Sequence, residues 1–108
     1  VNKVLIPAKE AEGTQTAQYT AVNCRTSIDK FTGTNTSGSN ATISVNLIAA
    51  SGTAGDDNLI VDAVSIAPGQ TYTFPELVGQ ILDSGNFIST IASAANAITI
   101  RASGREFT

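Results

Sequence analysis

The chain has 108 residues, a formal net charge of -3, 42% hydrophobic residues and only 14% charged ones, which predicts one folded domain with no electrostatic pull toward nucleic acid or an anionic membrane. The apolar content is too high for compositional disorder. With no histidine, no tryptophan and one cysteine, the composition excludes serine and cysteine–histidine triads, ordinary zinc sites and an intrachain disulfide.

The chain opens on a short apolar run, Val4-Leu5-Ile6, followed by Pro7, which lacks a backbone donor and is expected to stop it. Residues 1–17 therefore read as an extended N-terminal arm or an edge strand and then a loop. Residues 18–108 read as a single β-sandwich domain. From Gln18 the period is two: Tyr19 and Ala21 share a face, then Cys24, Thr26 and Ile28. Phe31 falls three residues after Ile28, so a bulge or a change of sheet is expected near Asp29-Lys30. Cys24 reads as a small buried side chain, since no histidine is present to activate it.

Asn35 to Asn40 is a turn by composition. The clearest strand follows, with Ile43, Val45, Leu47 and Ala49 inward and Thr42, Ser44 and Asn46 outward; with the segment before the turn it is expected to form a hairpin. Ser51 to Asn58 is a loop. Asn58 to Ala67 is nearly continuous β-branched apolar sequence (LIVDAVSI), as in strands buried on both faces or bent across a corner. Pro68-Gly69 predicts a type II turn into Thr71-Tyr72-Thr73-Phe74, a second hairpin. Glu76 to Ser84 is the one helix-like window, and Gly79 limits it to a turn or two. A third hairpin is expected from Phe87–Ile91 and Ala97–Ala102 around Ser93 to Asn96. The fold class is thus all-β: an antiparallel β-sandwich, jelly-roll or Ig-like, with an extended N-terminal arm and at most one short helix. The expected core is Ile28, Phe31, Ile43, Val45, Leu47, Val61, Val64, Ile66, Phe74, Leu82, Ile91, Ile98 and Ile100.

Chemistry is scarce in this chain. Nine carboxylates remain, but a glycosidase needs a walled cleft and the chain has only Tyr19, Tyr72 and four Phe to build one. Asp56-Asp57-Asn58 offers oxygen ligands for Ca²⁺ without an EF-hand spacing, so a solvated turn is the reading preferred. Asn35-Thr36-Ser37 and Asn40-Ala41-Thr42 match the N-glycosylation pattern, common by chance in so Asn- and Thr-rich a chain. No catalytic residue, metal ligand or cofactor is assigned.

Asn35-Thr36-Ser37 before an alternating strand, Ile66 to Thr71 (IAPGQT), Leu82 to Gly85, and Ala102 to Glu106 (ASGRE) together resemble the small β-sandwich virion proteins of tailed bacteriophages. The likeness runs from about Ile28 to Phe107, and the segment 1–17 departs from it. What the resemblance implies is a non-enzymatic capsid decoration (cement or stapling) protein on the outer surface of a phage head. Its expected partners are the major capsid protein or other virion proteins, with self-association also open. The apolar N-terminal residues Val1, Val4, Leu5 and Ile6 are the candidate partner-binding set. Two alternatives stand beside it: a tail or head-fibre or adaptor module, and a carbohydrate-binding or adhesin module, for which Tyr19 and Tyr72 are the available stacking tyrosines.

Overall fold

Alternating sequence with a turn every few residues forms strands here, and the computed structural model, which describes residues 1–107, contains nine of them. They are β1 (Asn2–Glu10), β2 (Thr16–Thr20), β3 (Arg25–Asn35), β4 (Ala41–Ile48), β5 (Leu59–Ile66), β6 (Thr71–Tyr72), β7 (Ile81–Leu82), β8 (Phe87–Ala92) and β9 (Ile98–Phe107). Among the described residues the one helical element is a 3₁₀ turn at Asp56–Asn58. The first sheet has the order β1-β9-β3-β6, with β7 also on β3, and the second has β2-β8-β4-β5. Every pairing is antiparallel.

The pattern of partners has a simple origin. β1 pairs with β9, β2 with β8, β3 with β6 and β7, and β4 with β5, so the chain is one long hairpin folded back about the β4–β5 loop. Curling that hairpin brings β9 onto β3 and β8 onto β4, which yields the two sheets of a jelly roll. The shortest dimension, 19 Å, is that of two layers about 10 Å apart with their outward side chains.

This wrapping overturns the three hairpins expected from the sequence. The turns at Asn35–Asn40, Pro68-Gly69 and Ser93–Asn96 each carry the chain from one sheet to the other, and among the described residues the only sequence neighbours that pair are β4 and β5. The Pro68-Gly69 turn itself is as expected: Gly69 has φ +76° and the Gln70 amide donates to the Ala67 carbonyl at 3.0 Å. The bulge is also where the period of β3 required it, with the β3–β9 register slipping between Ile28 and Lys30. The Glu76–Ser84 window holds no helix. Gly79 at φ +87° breaks it, and its amide donates to the Ile28 carbonyl at 2.7 Å while Ile28 N–H donates to Gln80.

The largest correction concerns residues 1–17. They are not an arm beside a sandwich starting at residue 18: of the two expectations, it is the edge strand that forms, and the domain starts with it. Pro7 does not end the strand, because on the outer strand of a sheet its missing donor is tolerated and a register slip between Ile6 and Lys9 absorbs it. A second slip, between Val4 and Ile6, lets the consecutive Leu5 and Ile6 both enter the core. Ala11 turns the corner between sheets, its amide donating to Ile98 and its carbonyl accepting from Asn96. Thr108, the final residue of the expected domain 18–108, lies outside the described residues.

Between the sheets, Phe31 and Phe74 are fully buried with ring centroids 4.7 Å apart, and Tyr72 meets Phe74 edge-on at 4.8 Å. Ile28, Ile43, Val45, Val61, Ile66, Leu82, Ile98 and Ile100 are buried as expected; Leu47 and Val64 are half-buried against them. On β8 it is Ile88, not Ile91, that is fully buried. Asn46 is buried rather than outward, because the β4–β5 loop folds over that end of the second sheet and Asn58 Oδ1 accepts from Asn46 Nδ2 at 2.7 Å.

Candidate partner-binding face

The expected binding residues divide between inside and outside. Leu5 and Ile6 belong to the core and are unavailable to a partner, whereas Val1 and Val4 are exposed at the edge of the first sheet. The period of two assigns the remaining faces of that sheet. On β9, Ile98, Ile100, Ala102 and Gly104 are buried, so Thr99, Arg101, Ser103, Arg105 and Phe107 face out. On β3 the inward set is Thr26, Ile28 and, past the bulge, Phe31, Gly33 and Asn35; Arg25, Ser27, Lys30, Thr32 and Thr34 face out.

Two properties of this outer face stand out from the rest of the surface. Four of the six cations of the chain, Arg25, Lys30, Arg101 and Arg105, lie on it although the protein is net negative. Among the described residues, seven large apolar side chains are exposed, and six of them are on or beside the first sheet: Val1 and Val4 at β1, Ile81 on β7, Phe107 on β9, Val78 in the turn before β7 and Val22 in the β2–β3 connection. The seventh, Ile60, is on β5.

The register brings several of these together. Arg25 lies opposite Phe107, Ser27 opposite both Arg105 and Ile81, and Asn2 opposite Arg105. The Arg105 guanidinium sits 5.9 Å from the Phe107 ring centre and grips Asp29 through two contacts of 3.1 and 3.2 Å. Arg25 reaches Asp83 at 3.2 Å. Three shallow hollows lie around the Asp29 bulge: one of about 380 Å³ between β1 and β9, one of about 260 Å³ over Lys30 and Arg101, and one of about 550 Å³ lined by Lys30, Thr73, Pro75 and Val78.

At the same end of the sandwich, a polar stitch ties the sheets together. Tyr19 of β2 donates to Glu106 of β9 at 2.5 Å and meets Thr26 Oγ1 at 2.8 Å; Lys3 of β1 reaches the same carboxylate at 3.3 Å. Donation from Tyr19 and the nearby Lys3 hold the Glu106 carboxyl below its ordinary range, while burial and the same carboxylate push the Tyr19 hydroxyl well above its own. Tyr72 donates to Glu76. Both tyrosines are half-buried against the core with their hydroxyls engaged.

The remaining candidates are structural. Cys24 is buried just before β3. Asn35 is fully buried, donating to Ser39 and Ile66 carbonyls at 2.8 and 2.7 Å and accepting from Ser37 N–H and Oγ, so that glycosylation pattern is a turn lock. Asn58 spends its amide on Thr53, Gly55 and Asn46, which leaves its oxygen no free lone pair for Ca²⁺ in this loop conformation. In the sequence the cations look scattered, because Arg101 and Arg105 are separated from Lys30 by most of the chain. The spacing of 101, 103, 105 and 107 does mark one side of a strand; which other strand lies next to it is what the sequence does not reveal.

Comparison with protein-family models, with curated proteins and with solved structures returned no match.

Proposed function

We propose that this protein is a non-enzymatic virion structural protein, a capsid decoration protein that docks on the outer surface of a phage head through the outer face of its first sheet. The observation that carries the reading is the gathering of six of the seven exposed large apolar side chains on and around that sheet, beside Arg25 and Arg105. Arginine and aromatic anchors set among apolar side chains are what protein interfaces enrich, and Phe107 stacked near Arg105 is such a pair. The resemblance of the turn motifs to phage virion proteins supplies the class of partner, the major capsid protein. Shallow contacts of this kind become strong when many copies decorate a symmetric shell.

The test is occupancy on particles. Quantitative mass spectrometry of purified virions is expected to find on the order of hundreds of copies, as shell symmetry requires. About a dozen or fewer would move the protein to the tail, the second reading, and absence from virions would overturn both. Val4→Ser with Phe107→Ser is expected to lower occupancy at least tenfold; both side chains are only about half exposed, so melting curves of the variant check that it remains folded at the assay temperature.

A further inference from the structure

The outer face of the first sheet contains a notch with a chemistry of its own. Lys3, Lys9, Arg25 and Arg105 each meet a carboxylate within 3.3 Å, whereas Lys30 and Arg101 form no ion pair among the described residues. The register places Lys30 opposite Ser103 and Thr32 opposite Arg101. The two cations are therefore diagonal neighbours on adjacent strands, within reach of long side chains, and the two hydroxyls occupy the other diagonal. All four line the hollow of about 260 Å³. Asp29, next in sequence to Lys30, is gripped by Arg105 at both oxygens and does not neutralise the notch. Like charges on neighbouring strands repel, and no ion pair among the described residues offsets that here, so packing gives no reason for this arrangement.

We propose that Lys30, Thr32, Arg101 and Ser103 form a docking notch for a carboxylate side chain on an acidic segment of a partner protein. A guanidinium fork matches a planar carboxylate through two parallel bonds, with the ammonium and hydroxyls completing its remaining lone pairs. Tetrahedral anions are usually cradled by free backbone N–H groups at helix starts or nests, and on this face the backbone is spent on the β3–β9 ladder. The donor set is thus made of side chains alone, which suits an anion brought in on another chain. The notch specifies what the partner must present, and in that sense rests on the docking reading above.

The experiment is a titration of the isotopically labelled full chain at low ionic strength, following backbone amide resonances. The probes are a short peptide carrying two glutamates, the same peptide with glutamines, and inorganic phosphate. The glutamate peptide is expected to shift the Lys30, Thr32, Arg101 and Ser103 amides, with binding lost at high salt and weakened at least tenfold by Lys30→Gln with Arg101→Gln. Melting curves check that this variant is folded. Equal binding of the glutamine peptide, an unaffected double variant, or phosphate shifting the same amides at lower concentration than the peptide would each overturn the notch. If peptide binding is lost while virion occupancy is unchanged, the notch fails and the docking reading survives; intact peptide binding by a protein absent from virions has the reverse meaning.

Discussion

Gly104→Ala sets two opposing effects against each other at one atom. In a residue without positive φ, alanine restricts the unfolded chain and ordinarily stabilises by about 0.4–1 kcal/mol. Gly104, however, is where β9 passes the slipped register of β3, and a methyl group there would be driven into the Ser27 carbonyl oxygen, with the Ser27 carbonyl carbon at 3.1 Å and Leu5 Cδ1 at 3.0 Å. The obstacle is mainly backbone in the central pair of the sheet, so relief needs the two strands to part. Overpacking of this severity costs about 3 kcal/mol or more, for a net loss of about 2–4 kcal/mol once the entropic gain is subtracted. At about 4–8 °C per kcal/mol for a small domain, the melting temperature should fall by about 8–32 °C, read by circular dichroism. Gly38→Ala is the control: nothing lies within 4 Å of its added methyl group, and it is expected to be neutral or slightly stabilised. A Gly104→Ala protein as stable as the parent would refute the close approach of β3 and β9.

Asn35→Ala removes four hydrogen bonds at a fully buried position and leaves the Ile66 carbonyl without the Asn35 donor; a loss of about 2–3 kcal/mol in urea unfolding is expected, and a change under about 0.5 would contradict the turn lock. Phe31→Ala, at the centre of the aromatic cluster, should cost about 3–5 kcal/mol in the same assay. Glu106 and Glu12 both have lowered pKa values, from Tyr19 with Lys3 and from Lys9 with Gln18 respectively, so both favour the fold when ionised. Their contribution is complete above the ordinary 4.5 of a glutamate and is lost as pH falls through the lowered values. Tyr19→Phe should accordingly differ from the parent most at neutral pH, and the gap should narrow as pH falls through the lowered Glu106 value to the part due to Thr26; a gap that stays constant on acidification would remove Glu106 from the account.

Most strands and the bulge were legible because the period of two is a local property, and Ile28 and Phe31 alone demanded a slip at Asp29; β7 was not, since Ile81 and Leu82 lie in the window that reads as helix. Burial along β9 follows the same rule. Pairing was not legible, since Pro68-Gly69 makes the same tight turn whether the next strand returns beside the last or crosses to the opposite sheet. Leu59–Ile66 shows the same limit. Its apolar run suggests a doubly buried strand, yet β5 is an outer strand of the second sheet, kinked at Ala63 with φ +49° and bearing an exposed Ile60. As for the candidate face, Val1 and Val4 were readable as exposed apolar residues near an end, but Leu5 and Ile6 were drawn inward by a bulge no composition announces. Phe107, Arg105 and Lys30 become neighbours only through the β3–β9 register.

The position of β9 in that order also constrains how the layer assembles. β1 and β3 lie on either side of β9 and do not pair with each other, so β1 can join its sheet only once β9 has docked along β3. The two most distant strands of the chain are thus closed last, and by a single shared neighbour.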